Sequence, residues 1–337
     1  MLKFDETKTL ESINGALALR TEIEKILDEA EKTGYKDIWF LGIGGTWASS
    51  LQVEVYTRGK SALPLYVENA AEYITTGNKR ITKDSLVIFS SVSGTTGELV
   101  KALEKIKALG AKVFGFVDTA GTVLANMSDW CISYPTNEQL KFFMVANYLM
   151  YKLGDFPKYE EYNAQMEAHL AKGLVAAAKK ADPWAKEYAA QKYQEHKKNP
   201  DMPHYFIGSG TQWGGTYSHA MCYWEEQLWI RTKSITAGEF FHGMLEIIEA
   251  ETPVTLFIGE DEQRSRAERV AGFLPKVCRN YTVIDSKDYE MEGICEEFRG
   301  SISHLIIRVV NDRVDAYMEK EFCHPMNIRR YYRQFDY

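Results

Sequence analysis

From residue 37 onward the chain alternates short, continuous apolar runs with amphipathic stretches. "DIWFLGIGG", "LPLYVEN", "SLVIFSS", "KVFGFVD" and "WCISYP" are brief, apolar and bounded by glycine, proline or polar residues, as buried strands are. "TWASSLQVEVYTRG" and "TGELVKALEKIKALG", which lie among them, carry helical spacing instead. The opening segment to about Thr33 also reads as helix. Its "TEIEKILDEAEKTG" puts Ile23, Ile26 and Leu27 on one face and stops at Gly34, a natural helix terminator. Continuous apolar strands separated by amphipathic helices predict an α/β fold, a parallel sheet flanked by helices on both faces.

From about residue 152 to 203 the pattern turns polar and rich in alanine and lysine, which predicts helices joining two halves. Then it begins again. "WFLGIGGTWASSL" and "YFIGSGTQWGGTY" each read as an aromatic-rich strand, Gly-x-Gly, threonine and helix. "PVTLFIGE", "YTVIDSK" and "HLIIRVV" supply further strand candidates. The expectation is an internal duplication of one α/β unit: residues 1–155 with an N-terminal helix, a helical connector over 156–203, and residues 204–337.

Composition narrows the function. The 337 residues are 45% hydrophobic, enough for a large core, and carry a net charge of -7, the wrong sign for a nucleic-acid surface. The five cysteines are scattered, with no CxxC pair, which predicts reduced thiols in a cytoplasmic protein and neither a disulfide frame nor a metal site. No apolar run approaches the roughly 18 residues a membrane helix needs, and the N-terminus lacks a signal-peptide core.

The densest chemistry lies in "SSVSGTTGE", residues 90–98, at the carboxyl end of a predicted strand and the start of a predicted helix. In open parallel sheets ligands sit there, and a helix N-terminus offers unpaired N–H groups with partial positive charge. Ser91, Ser93, Thr95 and Thr96 add neutral donors, and Gly94 and Gly97 let the backbone come close. An ordinary N-cap needs one hydroxyl, whereas this loop gathers four. It reads as a lysine-free cradle for a phosphate dianion. No glycine loop has the lysine of a P-loop. "GIGGTW" has Trp47 where a dinucleotide fingerprint needs its third glycine, although Glu68 ends the second strand as a ribose-binding acid would.

The duplicated strand, "SxSGxTxE" and helix resemble the SIS (sugar isomerase) domain family of phosphosugar-binding proteins, so the two halves are expected to be tandem SIS-type units. "GEFxHGxxEIIE", as in "GEFFHGMLEIIE", looks like a segment shared by the isomerase domain of glucosamine-6-phosphate synthase and the fructosamine-6-phosphate deglycases. The ending "HPMNIRRYYRQFDY" is similar to a deglycase tail that the synthase lacks, and no glutaminase-like region precedes the SIS-like one. The resemblance therefore points to fructoselysine-6-phosphate deglycase and its relatives.

Carried onto this sequence, the resemblance makes Ser91, Ser93 and Thr96 the phosphate hydroxyls and Thr46 a contact from the first loop. It makes Glu226, sixteen positions before His242, the catalytic base. Adjacent Glu225 is the alternative if the alignment slips by one. His242 becomes the group that opens the sugar ring and protonates the substrate oxygen, serving the pocket of a second subunit. Glu72 and His324 are further substrate-binding candidates, the latter in a tail expected to fold over the site. Without the resemblance, Glu226 reads as a solvated helix residue, His242 as a partner for Glu239 or Glu246, and the tail as a docking segment.

The implied substrate is a 6-phosphorylated sugar–amine, cleaved without cofactor or metal to hexose 6-phosphate and amine by a homodimer or larger homo-oligomer. The chemistry fits the residue types. A carboxylate base and a group titrating near neutrality are what proton transfer beside a carbonyl requires, and a remote phosphate anchor holds the reacting carbons in register. Two other readings stand beside it. An aldose–ketose phosphosugar isomerase would use the same residues and release no amine. A non-catalytic phosphosugar sensor would need a basic DNA-binding domain, and the 36 residues before the first strand are too few and too acidic for one.

Overall fold

The computed structural model describes residues 1–332, 334 and 335. The chain packs as two compact units, Leu10–Ala168 and Met1–Thr9 with the chain from His169 onward. Helix α1 (Glu6–Leu17) runs from the second unit's short N-terminal piece into the first unit. The first unit continues through α2 (Arg20–Glu31), β1 (Asp37–Gly42), α3 (Gly45–Arg58), β2 (Leu65–Asn69), α4 (Ala70–Thr76), β3 (Ser85–Ser91) and α5 (Gly97–Ala108). It is completed by β4 (Lys112–Val117), α6 (Val123–Met127), β5 (Trp130–Ile132), α7 (Glu138–Lys152) and α8 (Tyr159–Gln165).

All strand pairs of this sheet are parallel, in the order β2-β1-β3-β4-β5. Strand alternation explains why both faces are covered. Trp39, Leu41, Val87, Phe89 and Val113 pack with Ala70 and Tyr73 of α4 and Leu99, Leu103 and Ile106 of α5. On the opposite face Phe40 meets Phe142 of α7 edge-on, ring centroids 4.8 Å apart, and Phe116 reaches the same ring at 6.0 Å. Phe40, Phe89, Phe114 and Phe116 are fully buried, each contributing about 1.5–3 kcal/mol of hydrophobic stabilisation.

The second unit contains a single π-type turn (Met166–Leu170, whose last residues enter it), α9 (Ala171–Lys198), β6 (His204–Gly208), α10 (Thr211–Ser218), a second π-type segment (His219–Glu225), β7 (Thr232–Thr236) and α11 (Ala237–Phe240). A 3₁₀ turn (Met244–Ile247), β8 (Val254–Ile258), α12 (Arg264–Phe273), β9 (Tyr281–Asp285), α13 (Glu296–Arg299) and α14 (Ser303–Glu321) follow. Its sheet is also parallel, in the order β7-β6-β8-β9.

The duplication read from the sequence is visible in both sheets. β1 and β6 each lie between the next two strands of their own half. Their turns close alike: the helix cap Gly44 has φ 59° and ψ -127°, and Gly210 has φ 57° and ψ -134°. One predicted strand is wrong. "HLIIRVV" lies inside helix α14, which is buried along Leu305, Ile306, Ile307, Val310 and Val314. A helix covered on several sides lacks a continuous polar face, so a short window of it resembles a buried strand. The strand β7, "TKSIT", was not anticipated: it is a polar edge strand and carries no apolar run.

Candidate functional site

The order β2-β1-β3-β4-β5 reverses direction at β1, so the turns after β1 and β3 stand side by side where chain connections diverge, the usual ligand crevice of an open α/β sheet. The hydroxyl loop occupies the second of these turns. Ser91, buried at the end of β3, accepts the Gly94 N–H on Oγ at 3.0 Å. Ser93 Oγ accepts from Thr95 N and Thr95 Oγ1, both at 3.3 Å. Thr96 Oγ1 lies 3.4 Å from Ser91 Oγ and 3.5 Å from Ser93 Oγ. Thr96 is the N-cap of α5, yet its side chain makes no capping bond. The hydroxyl reserved in an ordinary cap for the helix N–H groups is held with its neighbours instead. Ser91, Ser93 and Thr96 thus form one cluster at the start of α5.

Gly94 is required on two grounds. Its φ is 65°, and a Cβ there would stand 2.0 Å from Thr122 Oγ1. In the adjoining turn, Thr46 Oγ1 donates to Ile43 O at 3.0 Å and accepts from Ile43 N at 3.1 Å, closing the β1–α3 connection. Glu72 is exposed in the first turn of α4, where its N–H is capped by Asn69 Oδ1 at 3.4 Å. Glu68, the acid at the end of β2, accepts from Asn78 Nδ2 at 2.5 Å.

The same end of the sheet holds a carboxylate that sequence reasoning missed. Glu138 opens α7 and bonds to Ser49 of α3 and Ser90 of β3. Burial pushes its pKa up, against the pull of those two hydroxyls. Lys141, one turn later, is wholly buried. Its Nζ donates to Tyr134 O at 2.8 Å and lies 3.7 Å from Asp118 Oδ1, and burial pushes its pKa down. Its ammonium is thereby tied to protein groups.

The second half closes the corresponding helix start with its own acid. Asp261 Oδ2 accepts from both Thr211 N and Thr211 Oγ1 at 2.6 Å, and Oδ1 accepts from Gln263 N at 2.9 Å. A Cβ on Gly210 would lie 2.3 Å from either carboxylate oxygen. A carboxylate therefore sits at the N-terminus of α10, where an anion is favoured, and the loop after β8, "GEDEQ", offers acids in place of hydroxyls.

The two glutamates proposed for the base are separated by their partners. Glu225, exposed, accepts from Thr232 Oγ1 of β7 at 2.5 Å. Glu226, half-buried, receives Arg329 Nε on Oε1 at 2.7 Å. Glu225 ends the π-type segment and Glu226 follows it, the register showing in Glu226 N donating to Met221 O at 3.0 Å; such bulges recur at functional sites. The segment is pinned by buried Trp224, packed edge-on against Phe206 at 4.9 Å and close to His204 at 4.6 Å. His219 Nδ1 stands 3.6 Å from Asp315 Oδ2, both buried. Burial pushes His219 down to about 3 and Asp315 well up, so both are driven toward neutral forms. Trp229, just after the turn that follows the π-type segment, has a left-handed backbone with φ 60°.

His242 lies exposed in the turn after α11, its N–H donating to Glu239 O at 2.9 Å. Among the described residues no ion pair joins it to Glu239 or Glu246. His324 packs edge-on against Trp229 at 4.2 Å, and its Nε2 is buried with no hydrogen-bond partner among the described residues. The final tyrosine of the tail motif, Tyr337, lies outside the described residues. Among the described residues no group of three or more His, Cys, Asp or Glu is arranged to hold a metal, and no helix is long and apolar enough to cross a membrane.

Residues 34–153, from just before β1 to the end of α7, match the model of the SIS domain. The chain carries a SIS domain. Along the whole sequence it is 27% identical to the fructosamine deglycase FrlB of Bacillus subtilis (strain 168), over 94% of this chain and 97% of that one. It is 24% identical to the fructoselysine 6-phosphate deglycase of Escherichia coli O157:H7, over 92% and 89%. A solved Bacillus subtilis structure, assigned as a candidate phosphosugar isomerase, superposes with a TM-score of 0.83 at 26% identity, covering 96% of this chain and 99% of that one.

Proposed function

We propose that this protein is a cofactor-independent deglycase that cleaves a 6-phosphorylated Amadori-type sugar–amine to hexose 6-phosphate and free amine. The observation that carries the proposal is the hydroxyl cluster at the start of α5, in a chain that aligns end to end with two deglycases. Ser91, Ser93 and Thr96, with Thr46 from the adjoining turn, bind the phosphate. In the open-chain ketosamine, Glu226 takes a proton from C1 while His242 protonates the C2 oxygen, giving an enolamine. Glu226 returns the proton to C2, leaving an imine at C1. Water adds to that imine and the amine departs, so one water is consumed for each hexose 6-phosphate and amine formed. The exposure of His242 in its own chain supports its serving a second copy in a homodimer or larger homo-oligomer. Glu72 and His324 are assigned to the sugar and amine portions, and the enzyme to the cytoplasm, in keeping with its scattered cysteines.

The test is incubation with a panel of 6-phosphorylated sugar–amine adducts, assaying hexose 6-phosphate and amine together. Equimolar release of both is expected. Interconversion of aldose and ketose phosphates with no amine released from any adduct would replace the deglycase by an isomerase.

A further inference from the structure

We propose that Arg329 is the positioning residue for Glu226. The inference rests on the functional reading above, in which Glu226 is the base, and gives a specific role to one arginine of the tail motif. The ion pair joins residues 103 positions apart, with side chains 19% and 30% exposed. The guanidinium is itself held by its own segment: Nη1 donates to Met326 O at 2.7 Å and to Ile328 O at 2.9 Å. That leaves Nε directed to Glu226 Oε1 in a single contact whose direction is set by the planar guanidinium, which arginine can supply and lysine cannot.

The segment has a second hold on the same region. Arg330 stacks over the ring of Trp229 at 4.3 Å, and His324 meets that ring from the side at 4.2 Å. Trp229 lies three residues beyond Glu226, in a left-handed backbone conformation just after the turn that follows the π-type segment. The tail thus grips the turn bearing the base at two points, one ionic and one aromatic. A base that removes a proton from carbon must hold one oxygen in line with the C–H bond. Arg329 fixes the carboxylate by occupying Oε1. It stays charged throughout and takes no proton itself, so its effect passes through Glu226.

The experiment compares Arg329→Ala, Arg329→Lys and Glu226→Gln with wild type. With an adduct the wild type cleaves, Arg329→Ala is expected to lose about 10- to 10²-fold in kcat, the scale of a misplaced catalytic group, with little change in KM. Arg329→Lys recovers part of that loss. Added guanidinium, below denaturing concentration, restores turnover to Arg329→Ala and not to Glu226→Gln. Hydrogen exchange of residues 324–332, followed without substrate, loses protection in both Arg329→Ala and Glu226→Gln. Unchanged or raised kcat in Arg329→Ala, or a loss that guanidinium does not repair, overturns the positioning role. Unchanged exchange in both variants overturns the pairing itself. If wild type releases amine from no adduct, the functional reading falls, and the exchange data still decide whether the pair forms.

Discussion

Replacing Gly94 by alanine tests whether the hydroxyl loop is a built anion site or a generic turn. The backbone at Gly94 has φ 65°, a region that costs an alanine about 1–2 kcal/mol. The added Cβ would lie 2.0 Å from Thr122 Oγ1 and 2.6 Å from Thr122 Cβ, so either the loop or the segment before α6 must move. Such overpacking costs about 1–3 kcal/mol, for a sum of about 2–5 kcal/mol. That is tolerable for a domain stable by about 5–15 kcal/mol, so the variant still folds. Gly97→Ala is the matched control, because a Cβ there meets nothing within 4 Å. As the first residue of α5, it is expected to be neutral or slightly stabilising. Urea unfolding with and without glucose 6-phosphate reads both effects. Wild type and Gly97→Ala should gain about 2.7 kcal/mol at a ligand concentration of 100 Kd, and Gly94→Ala should lose both stability and most of that gain. Gly94→Ala with wild-type stability and an undiminished ligand effect would refute the reasoning.

Glu226→Gln and His242→Asn should each lower kcat by about 10²–10⁴-fold with unfolding midpoints near wild type; near wild-type turnover in either removes that residue from the mechanism. Asp261→Ala should cost about 1–3 kcal/mol by stranding the buried Thr211 N–H, with phosphate binding unchanged when followed by calorimetry. Acid should destabilise the fold well before the carboxylates protonate. Burial holds His219 and His304 down to about 3 and His204 well below its ordinary value. Between the unfolded value near 6.5 and about 3 the unfolded chain binds more protons, so stability is full above that window and falls as pH drops through it. At pH 5 each of the two histidines held near 3 costs about 2 kcal/mol. Asp315, raised in the folded state, acts with the opposite sign, stabilising below its unfolded value and losing that contribution as pH rises through its folded one. Urea unfolding from pH 7 to 5 should show the net fall, and His219→Gln should flatten it.

Much of this was legible along the chain for definite reasons. β1 and β3 are continuous apolar runs cut off by glycine or serine, and the sheet buries them on both faces. The hydroxyl loop stood out because it carries more donors than a cap can use. "HLIIRVV" has the same composition as a strand, and only the covering of α14 on several sides distinguishes it. Strand β7 lacked the signal because an edge strand need not be apolar. The roles of Glu138 and Arg329 were invisible for another reason. Each acquires its meaning from a partner brought close by folding: Ser49 and Ser90 for the first, Glu226 for the second. Their local sequences, an N-terminal helix glutamate and a basic tail, are ordinary.

Asp261 bears on how the two halves came to differ. The start of α10 is tied down by a side chain of its own half, whereas its counterpart, the start of α3, adjoins the hydroxyl loop proposed to hold the phosphate. Under the proposed function a duplicated fold is thereby left with a single receptive pole. Occupancy by sugar phosphate should saturate at one molecule per polypeptide, despite the two glycine turns of nearly identical shape.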